Sequence, residues 1–181
     1  MDLNKFKVIQ NYFQSWHNQT RSQYFSNNHK VYKKTIKQLL SYNINSVCFI
    51  DNLLDSFQTL TIADDLIKNG VITTYLEQNN SDYICNKINS IYDLDTRIKE
   101  KIVFNKKEIY DFKKIDLIIV PVLVNYEKYG FIWDEKIKKI INNFNGFKLA
   151  ISLKDNSLEH STFNENKMEE IFIKFDSMVL V

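Results

Sequence analysis

Apolar residues are most concentrated near the middle of the chain, where Ile115 and Leu117–Val120 are followed by Pro121, the only proline. A run that is apolar on both faces is typical of a central strand covered by helices on both sides. Because proline has no N–H to donate to a neighbouring strand, we expect the strand to stop at Pro121 and to open into a loop.

A strand, a helix and a second strand are predicted upstream of this run. Residues 47–51 form a short apolar strand, and residues 59–69 place apolar side chains on one face of a helix. Gly70 follows this helix at the position where a helix often ends with a glycine in the left-handed backbone conformation. Residues 71–76 are predicted to form the next strand. This order predicts a right-handed βαβ unit with parallel strands.

The same alternation and helical spacing predict the other elements. They are helices over 2–18, 22–41 and 133–144, and strands over 83–88, 101–104, 147–153, 170–175 and 178–181. The order predicts an α/β fold of three layers with a mostly parallel central sheet and two N-terminal helices. We expect a single domain over 1–181, with the helical segment 1–42 packed on it.

Composition narrows the class of protein. Hydrophobic residues make up 44% of the chain, which is enough for a core, and 24 basic against 22 acidic residues leave a net charge of +2. So balanced a charge argues against nucleic acid as a partner.

With no run of about eighteen apolar residues and no signal-peptide core, we expect a soluble cytoplasmic protein and no membrane partner. Cys48 and Cys85 fit no zinc motif and are expected to be buried, reduced thiols.

Candidate chemistry is sought at the carboxyl ends of the strands, because ligands of open α/β sheets bind there. The segment 122–134 is therefore the first place to look. Asp134 has two interpretations: it favours the helix dipole in a first turn, or it helps to hold Mg²⁺. Asp51 and Asp55 lie at and just after a strand end. They either form hydrogen bonds in the loop and at the start of the next helix, or they bind a metal ion or a substrate.

Aromatic residues in the same segment suggest a flat ligand. Tyr126, Tyr129 and Trp133 could line a pocket for a heterocycle, although Trp133 also fits the apolar face of the following helix. No glycine-rich nucleotide loop, zinc-protease motif or nucleophile elbow is present. The three histidines are scattered and are interpreted as surface or capping residues.

Three local matches carry a resemblance to a known family. They are the strand Asp116–Pro121, the spacing of Ser56, Thr59 and Gly70, and the segment Ile132–Glu135. With its order of elements over about residues 5–175, the chain resembles the 5-formyltetrahydrofolate cyclo-ligases (methenyltetrahydrofolate synthetases). That family shares its fold with sugar-phosphate isomerases and CoA-transferases.

The resemblance implies an ATP-dependent ligase of one-carbon metabolism that converts 5-formyltetrahydrofolate to 5,10-methenyltetrahydrofolate. ATP and Mg²⁺ are the implied cofactors, a folate and a nucleotide the small-molecule partners, and a monomer the expected state. Asp134 is the implied metal ligand and, with Lys5, the catalytic pair. The implied cofactor-binding residues are Lys5, Lys7, Gly130 and Trp133, and the implied substrate-binding residues are Asp55, Phe57, Thr59 and Tyr126.

The chain also departs from that family. The family's loop after the proline is glycine-rich, which lets backbone N–H groups approach phosphates, whereas Gly130 stands alone here. Ile9 occupies a position where the family has arginine, for which Arg21 or Lys7 could compensate. These departures support an alternative, a non-catalytic relative that binds a nucleotide, a folate or a protein partner. A different enzyme of the same fold, such as a sugar-phosphate isomerase, is a third interpretation, which would depend on Asp51 and Asp55.

Overall fold

In a computed structural model of the chain, the described residues are 41, 43–50, 59–79, 82–95, 103–122, 124–132, 134–152 and 172–180. Their contacts divide them into two units. The first unit contains the described residues of 45–121 and 144–147. The second contains those of 1–44, 122–143 and 148–181.

Eleven strands, two α-helices and two short 3₁₀ helices (Ile91–Asp93 and Phe112–Lys114) are seen among the described residues. The helices are α1 (Thr59–Lys68) and α2 (Glu135–Asn142). The strands are β1 (Ser46–Phe49), β2 (Ile72–Asn79), β3 (Asp82–Ile88), β4 (Leu94–Asp95), β5 (Val103–Phe104), β6 (Leu117–Pro121), β7 (Asn125–Tyr126), β8 (Tyr129–Phe131), β9 (Phe147–Ser152), β10 (Phe172–Lys174) and β11 (Ser177–Leu180).

Strand β1 lies at the centre of the first unit. It pairs in parallel with β6 on one side and with β2 on the other, and β3 pairs antiparallel with β2. All residues of β1 and β6 are buried, as expected for strands covered on both faces. The predicted central strand is confirmed, with Pro121 as its last residue.

The predicted βαβ order with parallel strands is also confirmed in this unit. Ala63 and Leu66 of α1 are fully buried, so the helix packs with the apolar face that the sequence indicated. Gly70 has φ +78°, a backbone conformation that glycine adopts without steric cost, and its N–H donates to Ile67 O at 2.9 Å.

The outer edge of β3 is covered by a later segment of the chain. Lys87 N donates to Glu108 O and Tyr110 N donates to Cys85 O, around a bridge between Asn86 and Ile109. Strands β4 and β5 form a separate antiparallel pair in this unit. An edge covered in this way presents fewer unpaired backbone groups to other chains.

The second unit contains a parallel pair, β9 and β11, and an antiparallel sheet in the order β10–β8–β7. Helix α2 buries Ile137 and Ile141, which belong to the predicted apolar stripe. The prediction of a loop after Pro121 is wrong for residues 125–131, which form the hairpin β7–β8. Its two-residue turn places the non-glycine residue Glu127 at φ +50°.

The α/β class with a mostly parallel central sheet is confirmed by these pairings. The two predicted N-terminal helices and the segment 1–42 lie almost wholly outside the described residues, so the single-domain arrangement stays a prediction. None of the helices described is long and apolar enough to cross a membrane.

Candidate functional site

Asp134 is the N-cap of helix α2. Its Oδ1 atom accepts hydrogen bonds from Lys136 N at 2.8 Å and from Ile137 N at 3.0 Å. These N–H groups have no partner within the helix, and the carboxylate also favours the positive end of the helix dipole. The first of the two interpretations of Asp134 is therefore realised, and its role as a metal ligand stays a prediction.

Gly130 lies in β8, where its backbone pairs with Asn125 on one side and Ile173 on the other. A Cβ atom at this position would lie 2.6 Å from Val122 Cγ1 and 2.8 Å from Phe175 Cε2. Glycine is therefore the residue that fits here, because the side chains of Val122 and Phe175 leave no room for a Cβ atom. The predicted contact of Gly130 with a nucleotide stays a prediction.

The hairpin β7–β8 carries several aromatic rings. Tyr126 and Tyr129 are half-buried partners beside the turn, and Lys174 Nζ lies 5.7 Å from the Tyr129 ring centroid. Phe131 packs edge-on against Phe172, with ring centroids 5.9 Å apart. Tyr126, predicted to bind substrate, therefore lies in a hairpin that also carries Tyr129 and Phe131.

Most of the other predicted site residues lie outside the described part of the chain. These are Lys5, Lys7, Asp55, Phe57 and Trp133, while Thr59 is the first residue of α1 and its side chain is not described. The predicted convergence of Asp134 with Lys5 and Asp55 therefore stays a prediction.

Asp116, the first residue of the family-like strand, joins two strands. Its Oδ2 accepts hydrogen bonds from Asn45 N at 2.9 Å, Ser46 N at 3.0 Å and Ser46 Oγ at 2.9 Å. Its own N–H donates to Ser46 Oγ at 3.0 Å. These contacts lie at the amino end of the parallel strands, opposite to the end where ligands bind in this class of fold. Asp116 is therefore a structural residue.

A buried polar group that the sequence did not reveal lies toward the carboxyl end of β1 and β2. Phe49 stacks on Tyr75 with ring centroids 5.0 Å apart, and Tyr75 is the strand partner of Asn86. Asn86 Nδ2 donates to Glu77 Oε2 at 2.8 Å, and Lys107 Nζ binds Glu77 Oε1 at 2.7 Å.

Asn86 is 1% exposed, and its Oδ1 has no hydrogen-bond partner among the described residues. Exchanging the two ends of its amide would turn the oxygen toward the Glu77 carboxylate, so the contact with Glu77 fixes its orientation. A buried acceptor without a donor costs roughly 1–3 kcal/mol. Asn86 lies on the same face of β3 as Ile84 and Ile88, and its polar side chain interrupts the apolar alternation that would have indicated a buried position.

The two cysteines are buried free thiols, as predicted. Their Sγ atoms lie 3.9 Å apart. Burial raises the pKa of the Cys48 thiol, whereas the hydrogen bond with Cys48 lowers the pKa of Cys85.

In the described part of the chain, no three or more His, Cys, Asp or Glu side chains come together as ligands of a metal ion. Mg²⁺ is usually held by one or two carboxylates together with phosphate oxygens. Asp134 could supply one such carboxylate, although its Oδ1 already caps α2, and its role as a metal ligand stays a prediction.

Comparison with known proteins gives one informative result. No family model matches the chain, and no curated protein sequence does. Among solved structures, the chain is similar to the NMR structure of 5,10-methenyltetrahydrofolate synthetase from Aquifex aeolicus, with a TM-score of 0.62 and 10% sequence identity. The match covers 98% of this chain and 79% of that one. At this identity the likeness demonstrates a shared fold, and the relationship between the two proteins is a distant one.

Proposed function

We propose that the protein converts 5-formyltetrahydrofolate to 5,10-methenyltetrahydrofolate at the expense of ATP. The observation that carries the proposal is the fold likeness, which extends over 98% of the chain. A second support is that Asp116–Pro121, the best local match to the family, spans the fully buried strand β6.

The proposed reaction has two chemical steps. The formyl oxygen of the folate accepts the terminal phosphoryl group of ATP. The neighbouring folate nitrogen then attacks the activated carbon, and the oxygen leaves with the phosphate. Transfer of this kind depends on positioning and on neutralising charge rather than on a protein nucleophile. Lys5 is the residue proposed to neutralise the phosphates, while Phe57, Tyr126 and Trp133 are proposed to pack on the pterin.

No step is assigned to Mg²⁺, because the described residues form no group of metal ligands. Asp134 stays the proposed ligand of the ion. An experiment can separate this role from capping, because serine caps a helix about as well as aspartate but carries no charge. If Asp134 binds the ion, Asp134→Ser should lose activity while α2 remains stable.

The test is to incubate the protein with 5-formyltetrahydrofolate and Mg·ATP while recording the absorbance of the methenyl product. Parallel calorimetric titrations measure the binding of each ligand. We expect ATP-dependent product formation that is abolished by Lys5→Ala and unchanged by Lys139→Ala, a control at an exposed position of α2. Absence of both product and binding would refute the proposal.

A second function is favoured by one specific observation. The segment that is a glycine-rich loop in the family forms the hairpin β7–β8 here, with Gly130 packed between Val122 and Phe175. Such a segment cannot bring a series of backbone N–H groups close to phosphates in the way that a glycine-rich loop does. The alternative is a non-catalytic relative that binds a nucleotide, a folate or a protein partner. Ligand binding without turnover in the same experiment would identify it.

A further inference from the structure

The segment that covers the outer edge of β3 has an outer edge of its own. On the side that faces β3, Lys87 N donates to Glu108 O at 2.7 Å, and Tyr110 N donates to Cys85 O at 2.8 Å. Backbone groups of successive residues in an extended strand point to opposite sides, so the N–H and C=O of Ile109 point away from β3. Neither group bonds to any of the described residues. Ile109 therefore offers one donor and one acceptor to a further strand.

The side chains along this edge are accessible. Ile109 is 75% exposed, and Tyr92, at 83%, is the other large hydrophobic residue that is exposed among the described residues. Residues 105–108 and 111 are exposed as well. An accessible edge with unpaired N–H and C=O groups is a template for pairing with another chain, and proteins often protect such an edge with a charge or a proline. The centre of this edge carries an isoleucine instead.

The sequence of the edge is complementary to itself. When two copies pair antiparallel about a two-fold axis at Ile109, each Ile109 N–H donates to the C=O of the other Ile109. Residue 107 then lies opposite residue 111 of the second copy, and these residues are Lys107 and Asp111. Opposite charges at directly opposed positions stabilise paired strands, and the symmetry produces this contact twice. Lys107 Nζ binds Glu77 Oε1 at 2.7 Å and has further donors for a second carboxylate.

We propose that a second copy of this chain binds along residues 107–111, so that two sheets join edge to edge in a symmetric dimer. The contact consists of the two Ile109 hydrogen bonds, the paired isoleucine side chains and the two Lys107–Asp111 ion pairs. An edge this short buries less than the roughly 1,200 Å² of a stable interface, so the dimer is reversible and half-associated between about 10 µM and 1 mM. The dimer differs from the monomer that the family resemblance implied, and it is independent of the folate reaction.

Sedimentation equilibrium of the full-length protein over this concentration range measures the association. Ile109→Lys and Ile109→Glu each place like charges opposite each other at the axis and should each weaken the association by about tenfold or more. An equimolar mixture of the two variants should dimerise again, because unlike charges then face each other. Tyr92→Lys, at the other exposed hydrophobic residue, is the matched control and should associate as the parent does. Circular dichroism shows whether each variant folds.

A cross-link locates the contact. Ile109→Cys should give a disulfide-linked dimer on mild oxidation, because opposite Cα atoms in such a pair are about 5.5 Å apart, within the range that a disulfide spans. Tyr92→Cys should cross-link much more slowly, and the natural Cys48 and Cys85 are buried and do not compete. A parent that stays monomeric throughout the range, a dimer that neither charged variant weakens, a mixture that does not recover, or equal cross-linking at the two positions would overturn the proposal.

Discussion

The carboxylate of Asp116 accepts hydrogen bonds from both the backbone N–H and the hydroxyl of Ser46, 70 positions earlier in the chain. Ser46 begins β1 and Asp116 precedes β6 by one residue, so the contact sets the two parallel strands side by side at their amino ends. Asp176 repeats the arrangement in the other unit: it precedes β11, and its Oδ2 accepts from Lys148 N of β9 at 2.7 Å.

Asp116→Ala should therefore lower the free energy of unfolding by roughly 2–4 kcal/mol, because several partly buried donors lose a charged acceptor. Asp116→Asn retains one acceptor oxygen and should cost less. Denaturation in urea measures both values. Asp82→Ala, at an exposed strand end, is the control and should change stability by less than about 0.5 kcal/mol. Equal stability of the Asp116→Ala variant and the parent would contradict the role of this contact.

The cap of helix α2 leads to a second prediction. Asp134→Ala removes the acceptor for Lys136 N and Ile137 N and should destabilise the protein by about 1 kcal/mol. Asp134→Ser supplies another acceptor and should restore most of that loss. The measurement is again the urea midpoint at constant slope. A serine variant as unstable as the alanine variant would mean that the carboxylate has a further structural role.

Close packing around Gly130 leads to a third prediction. Gly130→Ala should cost about 1–3 kcal/mol, because the new methyl group would overlap Val122 and Phe175. Val122→Ala removes one of the two overlaps. The double variant should therefore be more stable than the sum of the two single effects predicts, which a double-mutant cycle measures. Simple additivity would show that the methyl group does not meet Val122.

The fourth prediction concerns Glu108. Asn89 Nδ2 donates to Glu108 Oε2 at 3.0 Å and Lys87 Nζ binds Oε1 at 3.1 Å, and together they lower the pKa of this carboxyl. A lowered pKa in the folded state contributes stability above the unfolded value of about 4.3, and this contribution is lost as the pH falls through the folded value.

An NMR titration of the side-chain carbon should give a midpoint for Glu108 below that of an unfolded glutamate. Asn89→Ala and Lys87→Gln should each raise the midpoint, since each removes a group that favours the charged form. Asn105→Ala, whose side chain donates to Tyr92 O, is the control and should leave it unchanged. A midpoint insensitive to both changes would show that neither contact persists in solution.

The sequence was most informative where the structure depends on local periodicity. Helix α1 and its terminal Gly70 follow from the spacing of apolar residues and from one glycine. Strand β6 follows from an apolar run that ends at a proline, although Ile115 belongs to the preceding turn and the strand begins at Leu117. Parallel pairing follows because a helix separates β1 from β2.

Features that depend on distant partners could not be predicted. The hairpin β7–β8 turns at Glu127 without the glycine or asparagine that usually indicates such a turn. Asn86 is a polar residue at a buried position of β3, and its hydrogen bond with Glu77 depends on the neighbouring strand β2. Asp134 was the exception among the candidate site residues, because an N-cap is a local structure.

The position of β1 between β2 and β6 has a consequence for biosynthesis. β1, α1 and β2 leave the ribosome one after another, but β6, the second partner of β1, begins only at Leu117, 38 positions after β2 ends at Asn79. Until then, one edge of a strand that is wholly buried in the finished fold lacks its neighbour, a condition that promotes aggregation. The nascent chain therefore has a vulnerable interval that ends when β6 is released, and a chaperone that binds apolar strands would act in that interval.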